Sequence, residues 1–143
     1  MEVRIAYLDD DPDSLSIMER KVSGFNQRST DTIVLTTFLN PSQFLNNVIT
    51  GPEEFDAVII DLAMPIMDGR EVAKKLIDAR KEITMIFLSS SINEEDEDLP
   101  CLISKSNYKI SELFNRVFSL RNRWLYNMLQ ILSWKESNKY AIA

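Results

Sequence analysis

Histidine is absent from this chain, and that absence removes His-based acid/base chemistry, histidine metal sites and any part as a phosphohistidine carrier. Cysteine occurs once, at Cys101, so no intrachain disulfide can form, and a buried structural thiol in a reducing compartment is expected. Glycine and proline are scarce, at 3 and 5 residues, which excludes a collagen-like or low-complexity chain. No apolar run approaches the roughly 20 residues of a membrane span, and no basic segment followed by a long apolar one opens the sequence. A soluble, cytoplasmic protein is therefore expected. Positive charge is also short: 16 basic residues stand against 22 acidic ones, a net charge of −6 that disfavours nucleic acid as a partner.

What is present fits one globular domain with a sizeable core, 45% of its 143 residues being hydrophobic. Apolar, β-branched runs recur at Val3 to Leu8, Ile33 to Phe38, Ala57 to Ile60 and Ile83 to Leu88, with a weaker one at Leu102 to Ile103. Continuous runs, as opposed to alternating ones, suit parallel strands covered on both faces. Between them, Asp13 to Phe25 repeats Leu15, Met18, Val22 and Phe25 at helical spacing, with Pro12 and Asp13 as start residues. Pro41 to Ile49 reads as a second helix and Asp68 to Arg80 as a third. The alternation predicts an α/β domain with a parallel sheet and right-handed crossovers. Ser89 to Pro100, "SSSINEEDEDLP", is too acidic for a convincing amphipathic helix and is expected to be a solvated loop.

The stretch "YLDDDPDS" gathers Asp9, Asp10, Asp11 and Asp13 directly after the first strand, and the third, "AVIID", ends in Asp61. In a doubly wound sheet of order 2-1-3-4-5 the ends of strands one and three meet at the switch point where ligands bind. Two carboxylates about 4 Å apart repel by about 4 kcal/mol at an effective dielectric of 20, so such a cluster takes up protons or recruits a cation. Oxygen-only ligands favour a hard ion such as Mg²⁺, which commonly shares its shell with a phosphate. A phosphoryl group needs a donor and a cation for its remaining oxygens. Ser89 or Ser90, ending strand four, and Lys105, following strand five, stand at the right strand ends.

This constellation resembles the receiver domain of two-component response regulators, the CheY-like family, over roughly residues 3 to 120. The most specific motif is "VIIDLAMPIMDG", residues 58 to 69, with its aspartate, the Met64-Pro65 pair and the Asp68-Gly69 turn. "LDDD", "IFLS" and "LISK" supply Asp10, Ser89 and Lys105 at the matching strand ends. The resemblance implies a flavodoxin-like, five-stranded parallel sheet of order 2-1-3-4-5. It implies that Asp61 is the phosphoacceptor, that Asp10 ligates Mg²⁺ directly and Asp9 mainly through water, and that the backbone carbonyl of Ala63 supplies another ligand. Ser89 would bond the phosphoryl group, Lys105 would pair with it, and Asp11 would be a flanking residue. The implied partners are a sensor histidine kinase or phosphotransfer protein and an output protein, with no enzymatic turnover beyond self-phosphorylation and autodephosphorylation.

The sequence departs from the family pattern in three places. Ser106 follows Lys105 where the family usually has a cis proline, and since cis bonds without proline cost about 2.5–4 kcal/mol, a trans bond and a displaced Lys105 are expected. Leu102 replaces the usual aromatic switch residue. The interval from Ser89 to Lys105 is short, which implies a shortened or missing helix between strands four and five. From Ile110 the pattern Ile110, Leu113, Phe114, Val117 and Phe118 predicts a final helix. Apolar residues continue through Trp124, Met128, Ile131 and Trp134, and a helix over 109 to 134 would be about 39 Å long. The division expected is a receiver domain at 1–120 and a C-terminal helical extension at 121–143 that could support a homodimer. The extension is too short for an output domain, so a stand-alone receiver or a piece of a longer regulator is expected. Two alternatives stay open: a degenerate receiver acting as a phosphorylation-independent binding or dimerisation module, and a Mg²⁺-dependent phosphohydrolase of haloacid-dehalogenase type using Asp9 and Asp11.

Overall fold

The computed structural model describes residues 1–79, 81–91, 99 and 101–121, with 119–121 as backbone only. Five strands, β1 (Glu2–Leu8), β2 (Thr32–Phe38), β3 (Ala57–Asp61), β4 (Thr84–Ser89) and β5 (Leu102–Ser104), form one sheet of order β2-β1-β3-β4-β5. Every pairing is parallel. Four helices, α1 (Pro12–Arg28), α2 (Pro41–Thr50), α3 (Gly69–Asp78) and α4 (Ile110–Arg121), complete the described chain. This is the parallel α/β sheet expected from the continuous apolar runs, in the doubly wound, flavodoxin-like order that the family resemblance implies.

The strands are buried on both faces because their side chains alternate between two packed layers. Val3, Ile5, Tyr7, Ile59 and Leu88 pack with Leu15 and Met18 of α1 and with Leu113 and Val117 of α4. Ala6, Leu8, Val58, Ile60 and Phe87 pack with Phe44 of α2 and Leu76 of α3 on the other side. β5 is a three-residue, half-buried edge strand, which accounts for its weak signal in the sequence.

Local chemistry sets where the helices start. Asn40 caps α2, its side chain accepting from the backbone N–H groups of Ser42 at 2.8 Å and Gln43 at 3.2 Å, with Pro41 at the first turn. Asp68 caps α3 by accepting from the Glu71 amide at 3.0 Å. α1 runs past Phe25 to Arg28, because Asn26 exchanges two hydrogen bonds with the backbone of Ile33, at 2.8 and 2.9 Å, and ties the last turn to β2. α3 ends at Asp78, two residues short of the expected boundary.

Among the described residues no helix lies between β4 and β5. Residues 92–98 and 100, on which the expectation of a shortened or missing helix rests, lie outside the described residues, as does the C-terminal extension from 122 onward. α4 buries Ile110, Leu113, Phe114 and Val117 as the spacing predicts. No described helix is long and apolar enough to cross a membrane.

Candidate functional site

β1 and β3 are parallel neighbours with Leu8 opposite Ile60, so the residues that follow, Asp9 and Asp61, leave the sheet side by side. The Asp9 amide continues the ladder by donating to Phe38 O at 3.1 Å, and Leu62 does the same to Leu88 O at 2.9 Å. Both aspartates are buried, at 0% and 2% exposure, whereas Asp10 is exposed. One carboxylate oxygen from each of Asp9, Asp10 and Asp61 lies within 4.8 Å of the others. The three therefore form an acidic pocket at the switch point. Burial, followed by the Asp9 carboxylate, pushes Asp61 up to about 6, with Lys105 opposing and Asp10 adding a little.

Lys105 is not displaced, which corrects the expectation drawn from Ser106. No cis peptide bond occurs among the described residues. Its Nζ nevertheless lies 2.8 Å from Asp9 Oδ2 and 3.5 Å from Asp61 Oδ2. The backbone holds it there: the Lys105 amide donates to Ser89 O at 2.8 Å, fixing the residue to the end of β4. The following turn is braced by Asn107 N–H to Ser104 O at 3.4 Å and by Lys21 of α1, whose ammonium donates to Tyr108 O at 2.8 Å and lies over the Tyr108 ring. Burial alone would lower the Lys105 ammonium; the Asp9 and Asp61 carboxylates outweigh it and hold the group above its ordinary value.

Of the two serines ending β4, Ser89 is buried and Ser90 exposed. The Ser89 hydroxyl donates to Ser91 O at 2.5 Å and accepts from the Ser91 amide at 3.3 Å, so it is turned into its own loop. Ala63 is exposed in the loop after β3, between buried Leu62 and Met64. That loop folds back on the strand end through Gly69, whose N–H donates to Leu62 O at 3.0 Å. A Cβ on Gly69 would lie 2.5 Å from the Asp61 carbonyl oxygen, so only glycine permits the approach that shapes the loop.

Two roles went unrecognised in the sequence, that of Tyr7 beside Asp9 and that of Asp11 as a helix cap. Tyr7 is fully buried and its hydroxyl donates to Asp9 Oδ2 at 2.5 Å. The signal was available, since residues two apart on a strand share a face. Burial and the Asp9 carboxylate hold the Tyr7 phenol far above its ordinary value, so it stays a donor. Asp11 is the N-cap of α1, accepting from the Asp13 amide at 3.1 Å and the Ser14 hydroxyl at 3.0 Å. Its own amide donates to Asp9 Oδ1 at 3.0 Å. With its carboxylate engaged in the cap, Asp11 is not poised as the acid/base partner of Asp9 that a dehalogenase reading requires. A groove of about 530 Å³ between α1 and α4, lined by Lys21, Phe25, Arg28 and Tyr108 among others, contains none of the acidic cluster.

Comparison with known proteins agrees with this geometry. A family model described as the response regulator receiver domain matches residues 5–105. The chain is 27% identical over 128 residues to the transcriptional regulatory protein PrrA of Mycobacterium leprae, which covers 84% of this chain and 50% of PrrA. It spans between 16% and 50% of the length of the curated relatives it matches. Among solved structures it is similar to the receiver domain of a Francisella response regulator, with 24% identity and a TM-score of 0.67 over 85% of this chain and 98% of that one. It is also similar to the BeF3-activated receiver domain of DrrB from Thermotoga maritima, with 26% identity and a TM-score of 0.59 over 88% of this chain and 99% of that one.

Proposed function

We propose, from the premise that this chain belongs to the response regulator receiver domain family, that it takes a phosphoryl group on Asp61 within a two-component phosphorelay and thereby switches protein contacts. The observation that carries the reading is the convergence of Asp9, Asp10 and Asp61 on one pocket, with Lys105 set against the two buried acids. The donor set fits Mg²⁺: it offers only hard oxygen ligands, and its three carboxylates outnumber the one lysine set against them. Asp10 would ligate the ion directly, Asp9 mainly through water, and Asp61 with the Ala63 carbonyl would complete the protein's share. When bound, Mg²⁺ would neutralise charge on the phosphoryl oxygens.

In the reaction an Asp61 carboxylate oxygen attacks phosphorus in line, forming the O–P bond as the donor's bond to phosphorus breaks and the leaving group departs. The donor would be the phosphohistidine of a sensor kinase or phosphotransfer protein, or a small acyl phosphate. Lys105, already shared between Asp9 and Asp61, needs only a small shift to pair with a phosphoryl oxygen. Ser89 would exchange its bond to Ser91 for one to the phosphoryl group and draw its loop inward. That movement converts about −1.5 to −2 of added charge into a changed partner surface. Ile66, 90% exposed on the loop after Asp61, offers apolar surface to a docking partner at the site. Leu102, half-buried on β5, stands in for the aromatic switch residue, so the coupling would run through the Ser89 loop. We place the receiver unit at 1–120, with 121–143 as an extension that could mediate homodimerisation, and a cytoplasmic setting suits the donor.

Incubation with Mg²⁺ and acetyl phosphate is expected to give an adduct of about 80 Da, stable in acid, labile in base and lost in Asp61→Asn. Its persistent absence, with a cognate kinase also tried, overturns the reading. A gel-filtration shift on treatment with beryllium fluoride would tie the site to oligomeric state; binding and oligomeric state that Asp61→Ala leaves untouched would instead favour a phosphorylation-independent module.

A further inference from the structure

The site contains a hydroxyl that the reaction above does not use. Tyr7 of β1 lies two residues before Asp9, which follows the strand, its ring enclosed in the layer packed by α1 and α4 and its exposure 0%. With only two side-chain torsions and a closely packed ring, its hydroxyl has little freedom to leave the Asp9 carboxylate, and a buried hydroxyl needs such a partner. A carboxylate offers roughly four acceptor positions. On Asp9, Oδ2 already receives Tyr7 at 2.5 Å and Lys105 at 2.8 Å, and Oδ1 receives the Asp11 amide at 3.0 Å. Asp9 is thus nearly saturated by the protein itself.

We propose that Tyr7 is a positioning residue whose hydroxyl withholds an Asp9 acceptor position from the cation and keeps Lys105 shared between Asp9 and Asp61. The inference rests on the phosphoacceptor reading and assigns unequal parts to the three acids. Asp10 and Asp61 carry the direct ligation, and Asp9 is the anchor on which Lys105 is held in reserve. Removing the hydroxyl frees a lone pair and leaves more negative charge on Oδ2. The cation gains by this, while Lys105 is drawn harder onto Asp9 and away from an incoming phosphoryl group.

Tyr7→Phe keeps the ring and deletes only the donor. Calorimetric titration with MgCl₂ is expected to give a Kd at least threefold lower than wild type. The rate of adduct formation from acetyl phosphate at saturating Mg²⁺ is expected to fall at least threefold. In an Asp9→Asn background the same substitution should no longer tighten Mg²⁺ binding, because the two residues act on one group. A measurement that needs no substitution is the tyrosine ¹³Cζ spectrum of the wild type, where one resonance should shift on Mg²⁺ saturation. Tighter metal binding with a slower reaction supports the assignment. Unchanged values, or affinity and rate falling together as a merely structural role would give, overturn it, as does a tyrosine spectrum indifferent to Mg²⁺. Wild-type protein that binds no Mg²⁺ and forms no adduct overturns the phosphoacceptor reading itself, and this inference with it.

Discussion

The ends of β1 and β3 carry the same residue type at nearly the same burial, yet the two aspartates live in different surroundings. Asp9 is met by three donors, Tyr7, Lys105 and the Asp11 amide. Asp61 is met by Lys105 alone among the described residues, and at 3.5 Å. A buried carboxylate with enough donors is a fixed structural part, whereas one short of donors holds its charge at a cost that a proton, a cation or a phosphoryl group can relieve. The pocket therefore pairs a well-satisfied carboxylate with one short of donors, and Lys105 is the link between them.

Breaking that link should have the largest effect. Lys105→Met removes the cation that the two acids share and keeps much of the side chain's length. By analogy with the loss of a single charge-stabilising donor in other sites, adduct formation on Asp61 should slow by about 10²–10³-fold. Timed mass spectra with acetyl phosphate at saturating Mg²⁺ check this. A rate within threefold of wild type would mean that the ammonium is not used in the reaction.

The acceptor side can be isolated by pH. Asp61 in the folded chain is raised to about 6 from an ordinary 3.8, so between these values the folded state holds more proton than the unfolded one. The slope of unfolding free energy with pH is then negative: this contribution is fully present below pH 3.8 and is lost as pH rises through 6. A shift of this size corresponds to about 2–3 kcal/mol. Asp61→Asn lacks the titration, so relative to wild type it should gain that much stability between pH 4 and pH 7 in the absence of metal. Adding Mg²⁺ at pH 7 should recover the difference for wild type only. Denaturant melts of the two proteins across this range measure it, and parallel curves would refute the assignment of Asp61 as the strained acid.

Much of this was legible in the sequence because it lies in strand ends. Continuous apolar runs placed β1 to β4, the acids that follow them fell at the switch point, and the Asp68-Gly69 turn marked the loop that Gly69 closes against Asp61. Less legible were features set by side-chain reach and by contacts distant in sequence. Tyr7 reads as strand filler until its hydroxyl is seen to meet Asp9. Lys105 looks displaced without a following proline, because nothing local shows that its amide is pinned to Ser89 or that Lys21, 87 positions from Tyr108, braces the turn.

The smallest effect, and the one that separates charge from architecture, belongs to Asp11. It stands beside the metal-binding candidates and contributes to the excess negative charge of "DDD", yet its carboxylate accepts from the Asp13 amide and the Ser14 hydroxyl and its amide donates to Asp9. If its part is to cap α1, Asp11→Ala should cost about 1 kcal/mol of stability, and Asp11→Ser, which restores a capping oxygen without the charge, should regain most of it. Neither substitution removes the backbone N–H that Asp9 accepts, so both should leave the Mg²⁺ affinity within about twofold of wild type, weakened only by the loss of a screened surface charge. A loss of affinity tenfold or greater in Asp11→Ser would move Asp11 into the metal site and make the acidic stretch after β1 a three-carboxylate centre instead of an anchor, a ligand and a cap.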